Sequence, residues 1–243
     1  MAGRNFKAIG LVLRSRILGE SDRLITVLTP DRGKFEAVAR GARKTKSKLA
    51  AGVDLFTHGS FDFYSGKTWP VLTGQDVIEH FSCFREDYTC YPYGLYLAEL
   101  VDRLVSGEES NPEIFNLLLD GWKLLGENLD RALLCRAFEL KLAHAAGYSP
   151  HLDACTGCGM TGNGAFSPRQ GGLVCSECRG IDLIRLDPGT LALAKHLLQM
   201  PLASSRKVRS TNAQKDQLRR VNTAFLAYHP ELGDIKTRKL LDE

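Results

Sequence analysis

Two groups of residues in this 243-residue chain carry chemistry in their types and spacing. The first is a set of four cysteines, Cys155 and Cys158 followed by Cys175 and Cys178, forming two Cys-x2-Cys pairs with sixteen residues between them. Two residues between cysteines let a tight turn aim both sulfurs at one point, and two such knuckles complete the tetrahedron that Zn2+ accepts from thiolates. Gly157 and Gly159 lie in the first knuckle and Gly180 just after the second, where such turns favour glycine. Asn163, Gly164, Pro168, Gly171 and Gly172 read as turns around short strands that contain Ala165–Ser167 and the pair Leu173 and Val174. Four sulfurs fill all four positions and leave none for an activated water, so the spacing predicts one structural zinc ion. Two disulfides or four unrelated free thiols are the other readings of such cysteines, and disulfides belong to an oxidising compartment that nothing at the N-terminus indicates.

The second group is a run of cations. Arg40, Arg43, Lys44, Lys46 and Lys48 follow one another closely; with Arg32 and Lys34 they place seven Lys or Arg in residues 32–48 against the single acid Glu36. A polyanion gains free energy there by releasing its counterions, so phosphate contact is the predicted use. No arrangement reads base edges, and binding is expected to be largely independent of base sequence. Of Phe56, Phe61, Phe63, Tyr64 and Trp69, most are expected to fill a core and one or two to be exposed for stacking on bases. Arg206, Lys207 and Arg209 form a looser cluster without neighbouring aromatics.

The elements that must position these groups follow from periodicity. Residues 6–17 alternate in part, with Ile9, Leu11, Leu13 and Ile17 on one face of a strand and Arg14 and Arg16 on the other. Strands are also predicted over 22–29, 34–40, 54–64 and 69–79, and the sequence Thr29, Pro30, Asp31, Arg32, Gly33 is a strong turn signal. Five short strands in about 80 residues, with no long helix among them, predict a small closed barrel of the oligonucleotide/oligosaccharide-binding (OB) type. From about residue 84 the period becomes helical: Tyr93, Leu97, Leu100, Val101 and Leu104 share a face, and Asn111 with Pro112 starts a second helix. A third helix begins near Asp130 and ends at Gly147, and two more are predicted from Asp187 and over residues 212–228. The predicted architecture is α+β and multidomain: an OB-type barrel over residues 1–80, a helical bundle over 81–152 and 182–243, and a four-cysteine zinc ribbon inserted at 153–181.

Composition supports a protein with a real core, 44% hydrophobic overall. No apolar run reaches the roughly 18 residues that cross a bilayer, and cytoplasmic residence is expected. The net charge of +4 is uneven: residues 1–80 sum to +5, residues 81–154 to −6 and residues 155–243 to +5. Cys83, Cys90 and Cys135 sit in apolar or helical contexts and read as ordinary thiols. There is no phosphate loop, nucleophile elbow or H-E-x-x-H pair, and the six histidines are scattered. The chain is therefore expected not to be an enzyme.

These residues resemble the bacterial recombination mediator family RecO. The resemblance rests on Arg14, Ser15, Arg16; on Gly19, Glu20, Ser21, Asp22, Arg23, Leu24; on Gly33 and Lys34; and above all on Ala39, Arg40, Gly41, Ala42, Arg43, Lys44 followed by Lys46 and Ser47. Downstream, Arg136 to Leu140 with Gly147 and Tyr148 resembles the family's central helix, and the cysteine stretch with Phe166, Ser167, Pro168, Gly171 and Gly172 resembles its ribbon. The resemblance implies a DNA repair and recombination function, with binding of single- and double-stranded DNA, annealing of complementary strands, and action with RecR to load RecA onto DNA coated by single-strand-binding protein (SSB). It implies DNA contacts at Arg14, Arg16, Arg23, Lys34, Arg40, Arg43, Lys44, Lys46 and Lys48, and a nucleoid-associated location in the cytoplasm. It also implies docking of the SSB C-terminal tail in a pocket with a basic rim, for which Arg136 beside Phe138 is the matching position. Where some members carry two adjacent arginines, this chain has Arg136 followed by Ala137. Two other classes fit the residues alone: an RNA-binding factor of translation or ribosome assembly, and a zinc hydrolase in which one thiolate is not a ligand.

Overall fold

The computed structural model of the protein describes residues 5–107, 109–127, 130–162, 164–178 and 180–241. Its N-terminal strands are β1 (Asn5–Leu18), β2 (Asp22–Thr29), β3 (Gly33–Ala39), β4 (Thr57–Tyr64) and β5 (Val71–His80). They close into a barrel in the order β1-β2-β3-β5-β4. Neighbours are antiparallel except β3 and β5, which meet in parallel at Val38 and Val71. This is the five-stranded OB architecture expected from strand number and length. Ala8, Val12, Ile25, Val27, Ala37, Phe61, Phe63 and Leu72 fill the interior, each from one face of an alternating strand.

β1 departs from the expected alternation. Ile9 and Ile17 are 48% and 63% exposed, while Val12 lies in the core with no exposed surface. Ala8 and Val12 share the inward face, which leaves Ile9 on the outer one, and past the register shift between Val12 and Arg14 the inward parity changes. β1 pairs with β4 through its first half, from Asn5 to Leu11, and with β2 through its second, from Leu11 to Leu18. A bulge bends the strand between the two partners, and the extra residue interrupts the period of two on which the sequence reading relied.

The helices are α1 (Cys83–Glu86), α2 (Tyr91–Leu104), α3 (Pro112–Leu125) and α4 (Arg131–Ala145), then α5 (Pro188–Gln199) and α6 (Asn212–Leu226). Their starts carry the expected caps. Asn111 accepts from the backbone N–H of Ile114 at 2.9 Å, Asp130 from Leu133 at 3.0 Å and Asp187 from Thr190 at 2.8 Å; a capping box of Thr211 and Gln214 opens α6.

By packing, the chain forms two compact units, Met1–Trp122 and Lys123–Glu243. The first joins the barrel to α1, α2 and most of α3, so the expected boundary near residue 80 marks the change from strands to helices within one packed body. Phe56 sits 4.2 Å from Phe84 and 5.2 Å from Trp122, ring centre to ring centre, and these side chains are buried. In the second unit α4 is the central helix, with ten buried residues from Leu133 to Ala143.

The predicted ribbon strands form as β6 (Ala165–Ser167) and β7 (Gly172–Val174), joined by β8 (Ile184–Arg185) in the order β7-β6-β8. Phe166 is fully buried and meets Phe225 of α6 edge-on at 5.8 Å, which fixes the ribbon to the helices of its own unit. Among the described residues no helix is long and apolar enough to cross a membrane.

Candidate nucleic-acid interface and metal centre

The basic run leaves the end of β3 as a loop held to the preceding β1–β2 turn. The Asp22 carboxylate accepts the backbone N–H of Gly41 at 2.8 Å and the Ser21 hydroxyl at 3.0 Å. The backbone N–H of Arg43 donates to the Ser21 carbonyl at 3.0 Å, and the Arg43 guanidinium to the Glu20 carbonyl at 2.6 Å. Gly41 takes a φ of +65°, a conformation that a side chain would strain. The Gly41 amide and the Ser21 hydroxyl, with Arg40 and Lys44 nearby, hold the Asp22 carboxyl below its ordinary range. The two motifs that carried the resemblance, residues 19–24 and 39–44, therefore clasp one another. Ala42 is buried under the loop while Arg40, Arg43, Lys44, Lys46 and Lys48 are exposed. Among the described residues no hydrogen bond or ion pair occupies the side chains of Arg40, Lys44, Lys46 or Lys48.

The cations on the strands are placed differently. Arg16 pairs with Glu36 at 2.9 Å, and Arg23 donates to the Ser15 hydroxyl at 2.9 Å. Arg14 and Lys34 converge on Asp102 of α2, which is 7% exposed; Lys34 also donates to the Asp102 backbone carbonyl. The Arg14 side chain keeps 55% of its surface in solvent and Lys34 only 18%. Asp102 neutralises charge at the junction of barrel and helix, a role invisible in the helical periodicity around it. Of the five aromatic candidates, Phe56, Phe61 and Phe63 are buried and Tyr64 and Trp69 are exposed.

The four ribbon cysteines come together. Their sulfurs all lie within 4.8 Å of one another, and those of Cys158 and Cys175 are 3.7 Å apart. Metal–sulfur bonds of about 2.3 Å at tetrahedral angles require sulfurs about 3.8 Å apart, so the cluster fits a tetrahedral thiolate-bound metal. Gly157 is favoured by space: a side chain there would begin 3.0 Å from the Cys178 sulfur, and the neighbour would have to give way. The Cys175 backbone N–H, donating to the Cys155 sulfur at 3.3 Å, lowers that thiol to about 6. Hydrogen bonding from the Cys158 side chain and crowding by the other sulfurs push Cys178 up to about 12. One ligand is thus ionised near neutrality and another must lose its proton to a metal. Cys90 and Cys135 are buried and Cys83 is half-buried, apart from this cluster.

Arg136, expected at a basic rim, is 4% exposed. Its guanidinium meets Glu139 at 3.0 Å, and Asn222 of α6 donates to Glu139 at 2.8 Å and to the Arg136 carbonyl at 3.1 Å. The structure encloses Arg136 in a polar knot between α4 and α6. Phe138 beside it is fully buried.

A closed OB-type barrel followed by helices that carry a four-cysteine ribbon defines a class of modular proteins with a ribbon fit to hold a metal. The chain matches the model described as Recombination protein O N terminal over residues 1–81 and that described as Recombination protein O C terminal over residues 85–239. It is 41% identical to the DNA repair protein RecO of Heliobacterium modesticaldum, over 81% of this chain and 75% of that protein. It is 35% identical to the protein of the same name from Alkaliphilus metalliredigens, covering 92% and 93% of the two chains, and 34% identical to that of Symbiobacterium thermophilum, covering 96% and 95%. The chain belongs to the RecO family, a family of DNA repair and recombination.

Proposed function

We propose that this protein is a recombination mediator that binds single- and double-stranded DNA without sequence preference, anneals complementary strands and, with RecR, helps load RecA onto SSB-coated single strands. The observation that carries this reading is the clasped basic loop: five exposed cations at Arg40, Arg43, Lys44, Lys46 and Lys48, held beside the barrel by Asp22. Annealing needs no catalytic residue. It needs a cationic surface that lowers the repulsion between two phosphate backbones, and a loop in which four cationic side chains are uncommitted among the described residues supplies one. Arg14, Arg16 and Arg23 extend the contact along the strands, each keeping an intramolecular partner. Lys34, largely enclosed with Asp102, supports the surface more than it meets phosphate.

The ribbon holds one zinc ion through Cys155, Cys158, Cys175 and Cys178, and the ion is structural because four sulfurs leave no open position. The SSB tail docks on the helical half, where Arg136 acts by joining α4 to α6 through Glu139 and Asn222. The chemistry named here requires no enzyme activity of the chain.

Strand annealing of SSB-coated complementary oligonucleotides, without a nucleotide cofactor and across a salt series, tests the reading. Annealing that weakens steeply with salt is expected. No annealing, together with tight binding to structured RNA, would replace this function with a role in translation or ribosome assembly.

A further inference from the structure

Away from the clasped loop, the barrel is open at the end where β1 begins and where the β2–β3 and β4–β5 connections close. A cavity of about 560 Å³ lies there, lined by Phe6, Arg32, Phe35, Ser65, Thr68 and Pro70 among others. Its floor is aromatic. Phe6 stacks on the fully buried Phe63 at 5.2 Å, and Phe35 meets Phe63 edge-on at the same separation. Phe6 and Phe35 themselves are only partly buried. The Arg32 guanidinium lies 4.6 Å from the centre of the Phe6 ring, so a cation stands on the π-face that lines the opening. Thr68 adds a hydroxyl at the exposed side.

We infer that this cavity is a stacking subsite for one unpaired base of a DNA strand, with the adjoining phosphate at Arg32. The inference rests on the DNA-binding reading and deepens it. The volume falls within the range of about 300–1,000 Å³ that encloses small ligands. The half-buried Phe35 ring suits any base, because every base offers a π-face. Phe6, between Phe63 and the Arg32 guanidinium, backs the site, and Arg32 supplies the positive charge that meets the phosphate carried with each base. The occupant is a nucleic-acid strand because the cavity lies on the barrel read above as DNA-binding, and its one cationic lining residue, Arg32, stands beside the aromatic rings. Such a subsite accepts only a base free of its complement, and so gives the protein a preference for single strands that the basic loop, which meets phosphates alone, cannot supply.

The test compares two labelled strands that differ only in their bases, a fifteen-nucleotide oligothymidine and an abasic strand of the same length, binding the full-length, zinc-loaded protein at one salt concentration. The wild-type protein is expected to bind oligothymidine about 5- to 150-fold more tightly, the range one stacked base contributes. Phe35→Leu is expected to remove most of that difference while leaving the abasic strand bound as before. Equal wild-type affinities would overturn the subsite and leave the phosphate-driven reading standing; failure to bind either strand would remove both. A preference that survives Phe35→Leu and Phe6→Leu places stacking elsewhere and overturns the assignment. If Phe35→Leu unfolds the barrel, seen as loss of abasic binding as well, Thr68→Met fills the opening without touching the core and must abolish the preference by itself. Occupancy by an acidic peptide that leaves both strands bound equally would assign the cavity to a protein partner instead.

Discussion

The loop at residues 40–48 and the ribbon at residues 155–178 are both short, glycine-bearing segments rich in polar side chains, and they direct those side chains in opposite ways. In the ribbon, four sulfurs converge within 4.8 Å of one another; the reactive groups face inward, and their natural partner is a single ion that they enclose. In the loop the backbone faces inward, with the Gly41 amide on Asp22 and the Arg43 amide on the Ser21 carbonyl, while the cations are exposed and, of them, Arg43 also bonds the Glu20 carbonyl. The inward arrangement stabilises its own segment. The outward arrangement leaves most of its charge to be used when something anionic arrives. Loss of metal should therefore damage the fold and spare the affinity of whatever remains folded, whereas loss of the cations should do the reverse.

The largest effect expected is on the ribbon. Cys155→Ser, or removal of metal by a chelator, is expected to lower the unfolding temperature by about 10 °C or more, because metal affinity in such knuckles is folding free energy. Loading should weaken as pH falls, since the raised Cys178 thiol must release its proton for the metal to bind. Circular dichroism melts of the two forms measure the stability change, and DNA affinity referred to the folded fraction should change little. A variant that melts unchanged but no longer binds DNA would move the nucleic-acid interface to the ribbon and dissolve the contrast.

Next in size is the loop. Reversing charge at Arg40, Arg43 and Lys44 together is expected to abolish annealing and weaken DNA binding on the order of a hundredfold or more at about 0.1 M salt, since each phosphate contact contributes nearly a factor of ten there. The slope of log affinity against log salt should fall by about 2 to 3. Melting temperature and zinc content should remain as in the wild type. Unchanged annealing would remove the loop from the mechanism.

Much of this contrast is legible in the sequence, and the part that is not has a definite cause. The cysteine spacing sets the ribbon because its constraint is local, two residues at a time. The strands and helices follow from period and caps, with β1 the exception: its bulge at Val12 and Arg14 answers the need to serve two partner strands, information that lies outside the strand. The cations are countable in the sequence, but which of them are committed is not. Asp102 lies on a helix far along the chain from Arg14 and Lys34, and Glu139 turns Arg136 from a surface residue into an enclosed one. Asp22 is an intermediate case. Once β2 and β3 are read as a hairpin with Thr29 opposite Gly33 and Arg23 opposite Ala39, the next pair outward is Asp22 and Arg40. The register thus implies an acid at the root of the basic loop, although only the structure assigns it to the Gly41 amide.

The smallest effect is the most discriminating. Asp22 is an acid at the root of a phosphate-binding loop, and if charge alone governed binding, Asp22→Ala would tighten DNA by removing a repulsion. The clasp predicts the opposite. Without the carboxylate the loop loses its hold on Gly41, and ordering it must be repeated at each binding event, so annealing and affinity are expected to fall about 3- to 10-fold despite the gain in positive charge. The pH dependence carries the same sign. Because the folded state lowers the Asp22 carboxyl, the clasp is fully present above the ordinary carboxylate range and is lost only as pH falls through the depressed value. Between about pH 5 and 8 this group should leave annealing flat in the wild type. Tighter binding by Asp22→Ala, measured by anisotropy across that range, would mean that the loop acts as a flexible cationic tether and that its held geometry is incidental to how it meets DNA.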